Sequence, residues 1–118
     1  MTTQKYRESS HHLLAQARAE LAAGDARQAS EKGWGAAALM LKAIAEERGW
    51  EHDRHRHHFR TVRRLRAELG DGAIMDDFGR ANLLHENFYE DEFTRADVAE
   101  SLDRVESFLS KLEPLLPQ

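Results

Sequence analysis

Proline is absent from this chain until Pro114 and Pro117, close to its end. A proline inside a helix removes a backbone hydrogen bond and clashes with the preceding turn. Without one, the long stretches before Pro114 are free to be helical. Good helix formers fill those stretches, so the sequence reads as all-α. The 118 residues are enough for one domain, taken as 1–118. A chain of this size buries roughly 65% of the surface its unfolded form exposes, so it can hold its own core.

The apolar periodicity places the helices. The first is expected from about Gln4 to Ala23, with Tyr6, Leu13, Leu14, Ala17 and Leu21 at helical spacing. Gly24 stops it, and Asp25 caps a second helix that ends at Arg48 before Gly49. So short a connection makes the two antiparallel neighbours. The second helix is lined with small residues: Ala29, Gly33, Ala36 and Met40 form one row, and Trp34, Ala37, Leu41 and Ile44 another. A glycine inside a helix costs about 1 kcal/mol relative to alanine. Close approach of another backbone would offset that cost, which makes this helix the central one.

The stretch WEHDRHRHH, residues 50–58, is too polar for a core and reads as a loop. A short helix follows from about Phe59 to Leu69, turning Phe59, Val62, Leu65 and Leu69 inward. After the turn at 70–72, a fourth helix runs from about Ala73 to Tyr89 and buries Ile74, Phe78, Ala81, Leu84 and Phe88. Thr94 and Asp97 cap a last helix whose Val98, Leu102, Val105, Leu109, Leu112 and Leu116 make a bundle seam. The expected architecture is an antiparallel four-helix bundle with one additional short helix.

Composition narrows the function. There is no cysteine, which excludes disulfides and thiolate chemistry. No apolar run approaches the ~20 residues of a membrane span, and the first residues show no apolar signal core. A soluble, cytoplasmic protein without a membrane partner is the expectation. The net charge of −4 names no partner, but its distribution is uneven. Arg54 to Arg66 holds six arginines and no acid, whereas Glu86 to Glu92 holds four acids and no Lys or Arg. The arginines, Arg63 among them, form either a solvated helix face or a surface for RNA phosphates.

Four histidines, His52, His55, His57 and His58, crowd the expected loop beside Asp53. Histidine and carboxylate can ligate zinc. Arg54 and Arg56 are interleaved with them and repel a cation, so no metal and no other cofactor is expected. His11 and His12 point different ways on a helix and receive no role. Trp34 reads as a core residue. Glu31 and Lys32 beside it either line a polar cleft or stand in solvent.

Two segments carry a resemblance. GDARQASEKGWGAAALMLKAIAEERGW, residues 24–50, resembles the second helix of small archaeal and bacterial proteins of the PaREP1-like group within the HEPN superfamily. Arg80-x-x-x-x-His85 looks like that superfamily's Arg-x(4–6)-His signature. The resemblance implies a HEPN-like helical bundle that forms a homodimer, with the Arg/His motifs near the dimer cleft. Catalytic members are metal-independent RNases, often toxins paired with a nucleotidyltransferase-like antitoxin. Others bind nucleotides or partner proteins without catalysis. Active members commonly carry a polar residue directly after the arginine; here that position is Ala81, and the asparagine follows at Asn82.

RNA cleavage without a metal needs a base for the 2′-hydroxyl, a cation for the phosphate and an acid for the leaving oxygen. Histidine suits the proton transfers and arginine the phosphate. Arg80 and His85 are therefore the candidate catalytic pair. Asn82 and Tyr89 would hold substrate or orient the histidine, with Lys32 and Arg63 as further substrate contacts. Five helical steps turn the chain by roughly 500°, which leaves Arg80 and His85 about 140° apart. Either the helix is distorted near Gly79, or two copies complete one site. The alternative gives Arg80 a surface ion pair and makes His85 an ordinary helix-end histidine.

Overall fold

The computed structural model describes residues 1–118. It contains α1 (Thr3–Ala22), α2 (Ala26–Arg48), α3 (His55–Leu69), α4 (Ala73–Glu90) and α5 (Arg95–Leu112), followed by a 3-10 turn at Glu113–Leu115. There are no strands. None of the helices is long and apolar enough to cross a membrane.

Local chemistry sets most helix ends. Thr2 accepts from the Lys5 N–H, and Asp25 from the Gln28 N–H. Thr94 and Asp97 make reciprocal capping bonds at the start of α5. Gly49 and Gly70 take left-handed conformations just past α2 and α3, with φ of +71° and +63°.

Helix α2 lies at the centre and packs against the other four helices. Its glycines show why small residues are needed. A Cβ on Gly33 would sit 2.6 Å from Leu102 Cδ2 of α5 and 3.0 Å from Leu84 Cδ1 of α4. One on Gly35 would meet Leu13 Cδ1 of α1 at 2.9 Å. Across the α1–α2 contact the Ser10 hydroxyl donates to the Ala36 carbonyl at 2.6 Å. Polar links at both ends of α1 and α2, Thr3 to Glu47 and Lys32 to Glu20, show that the two run antiparallel. Helices α1, α2, α4 and α5 form the bundle, and Phe78, Phe108, Met40, Leu41 and Ile44 fill its middle.

Two buried polar groups fasten the bundle. Asp77 of α4 accepts from Arg104 at 2.8 Å and Lys111 at 3.2 Å, both on α5. The Asn87 side chain donates to Ser30 of α2, while its oxygen accepts the N–H groups of Glu92 and Phe93.

Helix α3 departs from expectation. It begins at His55, not Phe59, so the polar connection is shorter than residues 50–58. The first turn holds because His57 Nδ1 accepts the Arg54 N–H at 3.2 Å. His57 and His58 are buried rather than looped out. Leu69 does not face inward; it is exposed at the last position of α3. Phe88 is only half-buried, with Arg27 against its ring at 5.3 Å.

Candidate functional site

Helix α4 carries both signature residues but sends them apart. Arg80 turns toward α5, where Nε donates to Ser101 Oγ at 2.9 Å and Nη2 lies 3.2 Å from Glu100. His85 turns toward α2, with Nδ1 at 3.4 Å from Glu31 Oε1 and its ring centre 5.2 Å from that of Trp34. Ala81 is fully buried. The helix stays regular through Gly79, so the divergence follows from its own pitch. Arg80 lines a recess of about 430 Å³ with Met75, Asp76, Gly79, Leu83 and Arg104. Within one chain it shares no contact with His85.

His85 instead belongs to an aromatic cluster around Trp34. His55 stacks on Trp34 with centres 5.0 Å apart and lies 5.8 Å from His85 at an interplanar angle of 29°. His58 meets Trp34 edge-on at 6.1 Å, and the exposed Tyr89 meets His85 edge-on at 5.7 Å. Asn82 Oδ1 lies 3.0 Å from His55 Nε2, so Asn82 orients His55 rather than His85. Lys32 points to α1 and pairs with Glu20 at 3.2 Å, outside this cluster. Arg63 stands exposed on α3. Thus Asn82 and Tyr89 join His85, whereas Arg80, Lys32 and Arg63 stand elsewhere.

Three members of the cluster went unassigned in the sequence: His55, His58 and, as a partner for His85, Glu31. The first two were hidden by the polar segment read as a loop. The Glu31–Trp34 spacing on α2 was the available signal, since three positions apart places both on neighbouring parts of one helix face.

The electrostatics of the cluster are unusual. Burial pushes His58 down to about 4, with smaller contributions from Lys42 and the neighbouring histidines. It is therefore neutral at pH 7. The buried atoms Glu31 Oε2, His58 Nδ1 and His85 Nδ1 have no aligned hydrogen-bond partner. The 3.4 Å approach of Glu31 to His85 is an ionic contact and not an aligned hydrogen bond. The carboxylate nevertheless lies against the buried Nδ1 edge of the ring. His85 is partly exposed, with a third of its side chain open to solvent (32%).

A different histidine has metal-type neighbours. Ligand atoms of Glu51, Asp53 and His57 lie within 4.8 Å of one another. Both acids are exposed, and His57 Nδ1 already accepts the Arg54 N–H. Arg60 stands 3.7 Å from Glu51. Arg60 thus offsets Glu51, while the capping bond occupies the same His57 Nδ1 that Asp53 approaches at 3.0 Å.

The chain matches the archaeal PaREP1/PaREP8 family over residues 5–109. It belongs to that family. The match takes in α2 to α4 entirely and most of α1 and α5, and so covers every residue of the cluster in this PaREP1/PaREP8 protein. No curated protein and no solved structure matches it.

Proposed function

We propose that this PaREP1/PaREP8 protein acts on RNA as a HEPN-type, metal-independent endoribonuclease with His85 as its proton-transfer residue. The observation that carries the reading is the setting of His85, a partly exposed imidazole held with Nδ1 against Glu31 and its ring beside Tyr89 and the Asn82-bound His55. In the reaction His85 Nε2 takes the 2′-hydroxyl proton, and the 2′-oxygen attacks phosphorus. The P–O5′ bond breaks, and a second histidine protonates the departing oxygen. Arg80 supplies the cation for the phosphate charge. Because Arg80 and His85 leave α4 in different directions, one chain cannot offer both, and the reading requires a cytoplasmic homodimer. A nucleotidyltransferase-like antitoxin is the partner of the corresponding toxin reading.

A second reading is a non-catalytic module that binds a nucleotide or a partner protein through the Trp34 cluster. The separation of Arg80 from His85 and the burial of Ala81 favour it. Incubation with total RNA in EDTA separates the two. The nuclease reading expects EDTA-resistant cleavage by wild type, lost in His85→Ala and reduced in Glu31→Gln. Folded protein that leaves RNA intact would leave only the binding module.

A further inference from the structure

A separate recess opens where α2 gives way to α3. It has a volume of about 210 Å³ and is lined by Gly49, Trp50, Glu51, Arg60, Thr61 and Arg64. Arg60 and Arg64 stand one helical turn apart, so both guanidinium groups reach the same side of α3. Like charges at that spacing repel, and each arginine is only loosely compensated. Arg60 has Glu51 at 3.7 Å, beyond hydrogen-bond range. Arg64 lies over the Trp50 ring at 4.7 Å and not against a carboxylate.

Arg48, the third arginine at Trp50, is differently placed. It makes a two-pronged contact with Glu68, and that hydrogen bond raises its pKa further. Its guanidinium lies 5.2 Å from the Trp50 ring, so the anchored Arg48 steadies the tryptophan wall. Arg60 and Arg64, both exposed, thereby present N–H donors without a close carboxylate at the rim of an open recess. Arginine's fork of donors matches the oxygens of a phosphate.

We propose that the recess bounded by Trp50, Arg60 and Arg64 is a phosphate-binding site, distinct from the His85 cluster. Its volume equals roughly seven waters at ~30 Å³ each, which admits a phosphate group. It is smaller than the roughly 300–1,000 Å³ of pockets that enclose a drug-sized ligand, so a nucleoside would extend outside. Thr61 offers a hydroxyl in the lining. Glu51 is the one acid there and opposes an anion. The inference does not depend on catalysis at His85.

Calorimetric titration in low-salt buffer tests it, with inorganic phosphate and a short single-stranded oligoribonucleotide as probes. Phosphate binding alone marks a site for free phosphate. Binding of the oligoribonucleotide with phosphate as competitor marks a contact to an RNA backbone. In either case Arg60→Ala and Arg64→Ala each weaken binding about tenfold, the loss expected for one charge-assisted contact. Glu51→Gln tightens it several-fold, a gain that misfolding cannot produce. Arg18→Ala, which removes an arginine paired with Asp103 and Glu106 away from both sites, leaves phosphate affinity unchanged. Absence of binding by both probes, or equal affinities in wild type and the two arginine variants, would overturn the proposal.

Discussion

Acid should loosen this protein through His58 before its carboxylates are protonated. The imidazole is buried beside Trp34 and His55, and its pKa falls from 6.5 to about 4. The folded state therefore refuses a proton that the unfolded chain accepts between those values. Stability is fully present above pH 6.5 and is lost as pH falls toward 4. At 1.36 kcal/mol per pH unit the whole displacement amounts to at most about 3 kcal/mol, and about 2 kcal/mol of it is gone at pH 5. Urea unfolding at pH 7.5, 6 and 5 measures this for wild type beside His58→Leu. Leucine is close in volume and needs no hydrogen bond at the unpaired Nδ1 position. The variant should gain on wild type by about 2 kcal/mol between pH 7.5 and 5. Parallel losses in the two proteins would refute the argument, because His58 would then not be the group that gains the proton.

Other expectations are independent of that histidine. Gly79→Ala should raise stability by about 1 kcal/mol, because its Cβ meets nothing within 4 Å. Gly33→Ala should instead lower it by up to about 2 kcal/mol, since an overpacking cost of about 1–3 kcal/mol exceeds the same helical gain; thermal melts showing equal stabilisation of both would contradict the packing at Leu102. Chelation with EDTA should leave the melting temperature unchanged, because Arg60 offsets Glu51 and a capping bond occupies His57 Nδ1; a large drop would identify a structural metal there. Arg80→Ala and His85→Ala should combine additively in stability, having no shared partner, but less than additively in RNA affinity if two copies form one site. Additive losses of affinity would show that they contact RNA independently.

Most of the helical framework was legible because its signals are local. Gly24, Asp25, Gly49 and Thr94 punctuate the chain, and the 3.6-residue pattern repeats between them. The start of α3 was not legible for a specific reason. Neutral histidine can be packed like an apolar ring, yet in a sequence it counts as polar; His57 and His58 therefore looked like loop residues while they closed and buried the first turn. The site was legible only in part. Helical pitch correctly separated Arg80 from His85 within one chain. The residues that do gather at His85 come from α2 and α3, and no local pattern reports a contact across helices.

The Asn87 side chain ties part of an exposed connection to the buried bundle. Its oxygen holds the amide hydrogens of Glu92 and Phe93, and its nitrogen is tied to Ser30 on the central helix. Releasing either amide means withdrawing a buried group from α2 or breaking the junction between α4 and α5. In deuterium oxide those two amides should persist far longer than their surface position suggests, and they should exchange together with the bundle rather than with the loops. The acidic segment that contains them is thereby a fixed edge of the molecule, and charges at Glu90 and Glu92 keep a constant bearing relative to His85.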